Sequence, residues 1–183
     1  MKSTELTGGA LLSSSFTIEA MANSSGNKKL KLALVGCGGR GTGAAVQALR
    51  ADKDVELVAV ADAFKDRIES SLKSINEELD GEIEVKVKEK NKFVRFNSYQ
   101  KAIDKADVVI LTTPPGFRPL HFKYAIDNDK HVFMEKPVAT DAAGVRQVLN
   151  SAKIANKKKL NVVVGLQRRY QNSYNKTLKY IEN

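Results

Sequence analysis

The chain has 183 residues, of which 42% are hydrophobic and 28% charged, a composition typical of one globular domain and not of a disordered chain. One cysteine excludes an intramolecular disulfide and a cysteine-only zinc site, the two histidines give no standard metal spacing, and no apolar run reaches the roughly 18 residues of a membrane span. The net charge of +9 comes mostly from lysine runs without interleaved aromatic residues, a pattern typical of solvated edges and not of a nucleic-acid surface.

The N-terminal segment resembles an export signal. Lys2 is followed by a small and apolar stretch at 6–18, and Ala20-Met21-Ala22 fits the small-x-small pattern of a signal-peptidase site. Residues 2–12 are similar to the later part of a twin-arginine signal, although the arginine pair is absent. We therefore expect 1–28 to be a signal-like segment and linker of an exported or periplasmic protein. If the segment is only an unprocessed tail, the protein is cytoplasmic.

The front half of the remaining chain alternates strand and helix patterns. Apolar residues 30–35 stop at a glycine, which suits a buried parallel strand. Ile68, Leu72, Ile75 and Leu79 recur at three- and four-residue spacing, as on one face of a helix. In chain order we predict a strand at 30–35, a helix at 43–51, a strand at 55–61, a helix at 66–79, an exposed excursion with some strand character at 81–92, and a strand at 93–96.

The back half continues the alternation. Ser98 is a plausible cap for the next helix, and a loop with three prolines follows the strand after it. This rhythm predicts right-handed crossovers and an α/β, doubly wound parallel sheet of the Rossmann type. In chain order we predict a helix at 98–105, a strand at 107–111, a loop at 112–119, a helix at 120–128, a strand at 131–134, a helix at 141–155, a strand at 160–165 and a helix at 172–181.

A glycine-rich turn joins the first predicted strand to the first helix. The six residues from Gly36 to Gly41 fit G-x-G-x-x-G, in which the three glycines allow a tight turn, close approach of a pyrophosphate and close helix packing. The helix N-terminus then favours phosphate. We predict that the whole turn binds a dinucleotide, with these residues: Gly36, Cys37, Gly38, Gly39, Arg40 and Gly41.

Two residues of this turn allow more than one interpretation. Arg40 could accommodate a 2′-phosphate or brace the pyrophosphate. Cys37 is most simply a small packing residue, although its place beside a helix start could lower its thiol pKa. Because no base is nearby in the sequence, a catalytic thiol has little support.

Asp62 ends the second predicted strand, 26 residues after Gly36. A carboxylate there accepts hydrogen bonds from the adenosine ribose and repels a 2′-phosphate, so we expect NAD to be preferred over NADP. The alternative is that Asp62 only caps the following helix.

Three later strand ends carry polar residues and prolines that should border one crevice, because ligands bind outside the carboxyl ends of parallel strands. These residues are Thr112, Thr113, Pro114 and Pro115 after the fourth strand, Glu135 and Lys136 after the fifth, and Gln167 and Arg168 after the sixth.

At these residues the sequence resembles the Gfo/Idh/MocA family, the relatives of glucose–fructose oxidoreductase and inositol dehydrogenase. The resemblance covers residues 29–183 and is carried by the glycine turn, by Asp62 and by three segments: TTPPGFRPLH ending at His121, KHVFMEKPVA and VVVGLQRRY. It implies that 112–115 line the nicotinamide side, that Glu135 and Lys136 lie near it, and that Gln167 and Arg168 border the same pocket.

The resemblance also implies a reaction, the transfer of hydride between NAD(P) and a sugar or polyol. Lys136 is the expected catalytic residue, holding a substrate hydroxyl while a hydride leaves the adjacent carbon. The alternative is a surface lysine paired with Glu135. His121 is a second catalytic candidate, or else a histidine that satisfies backbone groups at a helix start.

Family members carry a second, mainly antiparallel α+β domain that supplies most of the substrate pocket, and this chain does not include it. We expect 29–170 to be the dinucleotide-binding domain and 171–183 the start of a linking helix. The chain alone should then be inactive, and monomeric where the full-length protein is a homo-oligomer. Two other functions remain open, an NAD-dependent glycosidase of the same family and a nucleotide-binding sensor without catalysis.

Overall fold

The computed structural model describes residues 29–182, and its centre is a sheet of six parallel strands. The expected signal-like segment lies outside the described residues. The strands are β1 (Leu30–Val35), β2 (Val55–Asp62), β3 (Lys92–Val94), β4 (Val108–Leu111), β5 (His131–Met134) and β6 (Val162–Val164).

The strands lie in the order β3-β2-β1-β4-β5-β6, and each is parallel to its neighbours. The chain thus moves outward from β1 to β3 and then returns to the other side of β1 with β4. This is the doubly wound Rossmann order, so the predicted fold class is confirmed. The reversal leaves a crevice between β1 and β4 at their carboxyl ends.

Seven helices connect or follow the strands within residues 29–182. Two short 3₁₀ turns, Glu89–Asn91 and Pro115–Phe117, precede β3 and the fourth helix. The helices are α1 (Gly39–Ala51), α2 (Lys65–Leu79), α3 (Ser98–Ile103), α4 (Arg118–Asp127), α5 (Ala142–Lys157), α6 (Gln167–Tyr170) and α7 (Asn172–Glu182). None of them is long and apolar enough to cross a membrane.

Apolar residues on both faces of the sheet form the core. Along β1, Leu32 and Leu34 pack toward α1 and α2, whereas Ala33 and Val35 pack toward α3, α4 and α5. Successive strand residues point to opposite faces, so a strand covered on both sides is apolar throughout. This explains why the unbroken apolar run predicted a buried parallel strand.

The first helix begins four residues earlier than expected, at Gly39 and not at residue 43. The glycine turn therefore supplies the first helical turn itself. Its N-cap is Gly38, which has no side chain to bond the first amides. Those amides remain available at the carboxyl edge of β1.

The lysine-rich segment 81–92 forms no strand before Lys92. Val85 and Val87 are buried against the α1–α2 side of the core, and the side chain of Asn76 bonds both the amide and the carbonyl of Val85. The alternation of the sequence therefore reflects alternate burial of an irregular segment without a neighbouring strand.

Smaller differences occur at several other element ends. The last strand is only Val162–Val164, and Asn97, not Ser98, is the N-cap of α3. Helix α4 starts at Arg118, two residues earlier than predicted, with Pro119 in its first turn. Proline is tolerated there because the first amides of a helix have no intrahelical partner. The proposed domain limits at 170 and 171 stay a prediction.

Candidate functional site

A cleft of about 660 Å³ opens at the carboxyl edge of the sheet, across the crevice between β1 and β4. Its walls come from the segments after β1, β2, β4, β5 and β6, as the sequence predicted, and also from the segment after β3, which was not predicted to take part. Of the predicted site residues, those that line it are Gly36, Gly38, Arg40, Asp62, Thr112, Thr113, Pro114, Pro115, His121, Glu135, Lys136 and Gln167.

At two positions of the glycine turn, the backbone lies too close to neighbouring atoms to leave room for a side chain. Gly36 has φ +97°, and a Cβ there would lie 2.6 Å from the amide nitrogen of Thr113. A Cβ on Gly41 would lie 2.0 Å from the carbonyl oxygen of Gly36. The Thr112 hydroxyl donates to that same carbonyl at 2.6 Å. Glycine at these two positions is therefore required by the packing of the fold, whether or not a ligand binds.

Gly38 differs from both. A Cβ built on it meets no protein atom within 4 Å, although the residue lines the cleft beside the N-terminus of α1. The fold alone thus does not require glycine at this position. The open space beside free helix amides fits a phosphate group that approaches the backbone closely.

The carboxylate of Asp62 joins the end of β2 to the glycine turn. Its Oδ2 accepts from the Cys37 amide at 2.7 Å, and its Oδ1 accepts from the Phe64 amide at 3.0 Å. The N-cap of α2 is Phe64, and no side chain caps that helix. Asp62 is therefore a wall of the cleft and not a helix cap.

The thiol of Cys37 faces the core, with the residue only 3% exposed. Burial, reinforced by the nearby negative charge of Asp62, raises its pKa from 9.0 to about 12. The expectation that the helix start could lower this pKa is wrong, because desolvation of a buried thiolate outweighs the helix dipole. Cys37, like Gly39 and Gly41, does not line the cleft.

We expect the Cys37 thiol to resist alkylation in the native chain. A pKa of about 12 in place of 9.0 lowers the thiolate fraction at neutral pH by about a thousandfold. Iodoacetamide labelling followed by mass spectrometry measures this directly, since Cys37 is the only cysteine. The same chain in denaturant is the control and should label fully. Rapid stoichiometric labelling of the folded chain would contradict the result.

Arg118 ties the ends of β4 and β5 together and was not predicted from the sequence. It is 2% exposed, and its guanidinium donates to the carbonyls of Thr113 and Glu135. Burial lowers the Arg118 pKa, and the nearby Glu135 charge opposes that shift. Its spacing of four residues from buried Phe122 was the available signal, since the two positions share a helix face.

Glu135 pairs with Arg40 across the cleft. The Glu135 carboxylate accepts from Arg40 Nε at 2.8 Å and lies 2.6 Å from a second guanidinium nitrogen. A Cβ on Gly165 would lie 2.6 Å from the same carboxylate, so glycine there leaves room for it. Arg40 thus contacts a carboxylate, a partner that the sequence did not indicate.

Lys136 follows at the exposed edge of the cleft, before a cis peptide bond to Pro137. The alternative interpretation paired Lys136 with Glu135, whereas the structure pairs Glu135 with Arg40. Within residues 29–182, Lys136 forms no ion pair. Its amino group is therefore available at the mouth of the cleft.

His121 lies at the inner wall, 4% exposed. Its Nδ1 is 3.1 Å from the Thr113 hydroxyl, and its ring stacks on Tyr99 with centroids 4.1 Å apart. Burial, together with the positive charge of Arg118, lowers its pKa to about 4, so the ring is neutral at pH 7. It bonds a side chain and not, as one interpretation held, backbone groups.

Arg168 is another predicted cofactor contact that does not line the cleft. Its guanidinium donates to the hydroxyl of Tyr174 and lies 4.7 Å above that ring, outside the lining of the cleft. The arginine follows Gln167 by one residue in a helix, so the two side chains point in different directions. Gln167 alone of this pair faces the cleft.

The cleft is also lined by residues that the sequence did not single out. They line the same cleft as Asp62 and combine aromatic with basic side chains: Phe64, Arg67, Arg95, Phe96 and Phe117. Arg95 has φ 113°, and its amide donates to the Asp62 carbonyl at 3.0 Å. Within residues 29–182, no group of three His, Cys, Asp or Glu side chains could hold a metal ion.

Comparison with known families gives one match that covers most of the described chain. The family is described as GFO_IDH_MocA, an oxidoreductase family with an NAD-binding Rossmann fold, and it matches residues 30–166. A comparison with curated protein sequences finds no match.

Several solved structures share this fold. Scyllo-inositol dehydrogenase from Lactobacillus casei, solved with bound NAD(H) and scyllo-inositol, is 20% identical with a TM-score of 0.65, covering 85% of this chain and 41% of that chain. Myo-inositol 2-dehydrogenase from Lactobacillus plantarum is 25% identical with a TM-score of 0.64, covering 85% and 42%. KijD10, a 3-ketoreductase from Actinomadura kijaniata solved with NADP, is 19% identical with a TM-score of 0.61, covering 85% and 42%. The chain thus spans less than half the length of these proteins.

Proposed function

Because this chain belongs to the Gfo/Idh/MocA oxidoreductase family with its NAD-binding Rossmann fold, we propose that the cleft binds NAD for an oxidoreductase that acts on a sugar or polyol. The observation that carries the proposal is the hydrogen bond from the Cys37 amide of the glycine turn to the Asp62 carboxylate, at the switch point of the sheet. The Lactobacillus casei enzyme, solved with NAD(H) and scyllo-inositol, supports the polyol.

The residues of the cleft fit a dinucleotide. The open space at Gly38, next to the first amides of α1, suits the diphosphate. Asp62 can accept from the adenosine ribose hydroxyls, and Thr113 and Lys136 line the same cleft.

When bound, the nicotinamide cofactor supplies the hydride acceptor or donor. Lys136 at the end of β5 would hold the substrate hydroxyl at the mouth of the cleft and take up or return its proton. Arg118 would hold the main chain in place at the ends of β4 and β5. It donates to the carbonyl of Thr113 and to that of Glu135, the residue directly before Lys136. A proton-transfer role for His121 stays a prediction, and its neutral ring makes it better suited to hydrogen bonding.

The two other functions make different predictions for the full-length protein. A glycosidase of the same family would cleave aryl glycosides, and a sensor would bind NAD without turnover. The presence of Lys136 at the cleft favours the dehydrogenase, since the glycosidase branch of the family is expected to depart from this lysine motif.

The preference for NAD over NADP rests on the charge of Asp62. We expect Asp62→Asn to weaken NAD⁺ binding by about tenfold, because a hydrogen bond to a charged group contributes roughly 1.5–3 kcal/mol. NADP⁺ should bind more tightly to the same variant, because the 2′-phosphate is no longer repelled. Isothermal titration calorimetry with both cofactors measures the ratio.

Asp66→Asn is the matched control, since Asp66 lies exposed in the first turn of α2 outside the cleft lining. It should leave both affinities unchanged. If the Asp62→Asn chain keeps the wild-type ratio of NAD⁺ to NADP⁺ affinity, the charge of Asp62 does not determine the preference for NAD.

Two further parts of the proposal rest on the sequence. Residues 1–22 would direct export of the folded protein through a twin-arginine-like signal, so the mature protein would begin near Asn23. The full-length protein would be a homo-oligomer and the present chain a monomer. N-terminal sequencing of the expressed protein and light scattering test these two statements.

A further inference from the structure

Two exposed arginines bring positive charge into the cleft that no acidic side chain balances. Arg67 and Arg95 both line the cleft, and within residues 29–182 neither guanidinium forms an ion pair. The Asp62 carboxylate is bonded to the amides of Cys37 and Phe64 and to neither arginine. Unpaired guanidinium groups in a cleft favour a negatively charged ligand.

The backbone of Arg95 is fixed directly beside Asp62. Val94 is the partner of Asp62 in the pairing of β2 with β3, and the Arg95 amide donates to the Asp62 carbonyl at 3.0 Å. The Ser98 amide in turn donates to the Arg95 carbonyl at 3.1 Å. Because both backbone polar groups of Arg95 are bonded, this residue is held next to the proposed contact of the adenosine ribose.

Arg95 also has a backbone conformation that favours glycine. Its φ is 113°, whereas the other non-glycine residues with positive φ within residues 29–182, Asp80, Asp129 and Lys159, have φ from 45° to 59°. Those three lie one or two residues after a helix end, where a left-handed residue is common. Arg95 follows a strand at the cleft, and its φ lies in a range that side chains rarely adopt. Backbone strain at a cleft points to a side chain that is kept for function.

We infer that Arg95 binds the 2′-phosphate of NADP, so that the cleft accepts NADP as well as NAD, an inference that rests on the proposed dinucleotide site. The 2′-phosphate is carried by the adenosine ribose, which Asp62 is proposed to contact, and Arg95 is fixed beside Asp62. A guanidinium can donate two parallel hydrogen bonds to one phosphate. Arg95 is thus a specificity-determining residue that opposes the repulsion from Asp62 and limits the preference for NAD.

The other arginines of the cleft fit this phosphate less well. Arg40 was the candidate from the sequence, but its guanidinium is paired with Glu135 at 2.6 Å, and Glu135 follows β5, on the other side of β1 from β2. Arg67, in the first turn of α2, adds a second positive charge to the same cleft. Arg95 combines an unpaired guanidinium with a backbone bond to Asp62.

Calorimetric titration of the chain with NAD⁺ and NADP⁺ tests the inference, because the two cofactors differ only in the 2′-phosphate. The variant is Arg95→Gly, which removes the guanidinium and relieves the backbone. We expect wild type to bind both cofactors. Arg95→Gly should lose about tenfold or more in NADP⁺ affinity, the effect of hydrogen bonds to a charged group, and less than about twofold in NAD⁺ affinity. It should unfold at an equal or higher urea concentration, because glycine adopts this φ without strain.

Lys159→Gly is the matched control. Lys159 is exposed, has φ 57° and does not line the cleft, so this variant also removes one positive charge at a positive φ. It should leave both affinities unchanged. Arg95→Lys keeps the charge without the paired donors, and it should bind NADP⁺ more tightly than Arg95→Gly does.

The outcomes separate this inference from the proposed function. If wild type binds NAD⁺ but not NADP⁺, or if Arg95→Gly keeps its NADP⁺ affinity, the phosphate contact is overturned and the NAD site stands. An equal loss of both cofactors in Arg95→Gly, or an equal loss of NADP⁺ affinity in Lys159→Gly, would also overturn the contact. If wild type binds neither cofactor, the proposed function fails, and the inference with it.

Discussion

Replacing Gly41 with alanine is expected to destabilise the chain by about 3 kcal/mol or more, since overpacking of a rigid site has costs of this order. The new Cβ would lie 2.0 Å from the carbonyl oxygen of Gly36 and 2.6 Å from the Thr112 hydroxyl. Neither atom can move easily, because the Thr112 hydroxyl bonds that same carbonyl. Relief requires that α1 move away from β1 and β4. A domain has only about 5–15 kcal/mol of stability in total, so the loss is large.

Urea denaturation followed by circular dichroism measures this effect, and Gly43→Ala is the matched control. Gly43 lies two residues further along the same helix, and a Cβ there meets no atom within 4 Å. Alanine at 43 should stabilise the helix by about 0.5–1 kcal/mol. A Gly41→Ala chain as stable as wild type would show that the close contact between turn and helix is not needed.

Replacing Lys136 with methionine should lower kcat of the full-length enzyme by about 10²–10⁴-fold, the contribution of a positioned general acid or base. NAD⁺ affinity should change by less than about twofold, since Lys136 is proposed to hold the substrate hydroxyl and not the dinucleotide. Lys136→Arg keeps the positive charge but not a readily lost proton, so it should recover little activity. Steady-state kinetics with NAD⁺ and a panel of sugars and polyols, the proposed substrate class, make the measurement.

Lys153→Met is the control for this series, because Lys153 is exposed on α5 and does not line the cleft. Full activity in Lys136→Met would contradict its catalytic role. Full recovery in Lys136→Arg would assign the residue an electrostatic role in place of proton transfer.

The sequence predicted the sheet well because strands buried on both faces are recognisable without tertiary information. The apolar run of β1 and its stop at Gly36 located the first strand correctly, and the later strand ends led to one cleft. The segment 81–92 was harder, since alternation predicts burial of every second residue but not the presence of a neighbouring strand.

The parts of the site that the sequence did not predict depend on contacts between distant residues. Arg40 and Glu135 are 95 residues apart, and nothing local to either one indicates the pair. The Arg118 bonds to two strand ends and the raised pKa of Cys37 arise from burial that exists only after folding. The sequence motifs predicted which segments meet at the cleft. Which side chains of those segments face it depends on the packing of the folded chain.

Calorimetric titration of this chain with NAD⁺ tests most directly whether the cleft binds NAD through the glycine turn. The matched variant is Gly38→Val, whose side chain would occupy space that no protein atom fills. We expect wild type to bind NAD⁺ with one site per chain, and Gly38→Val to unfold at the same urea concentration but bind no NAD⁺. Equal binding by the two chains, or no binding by wild type, would contradict the claim.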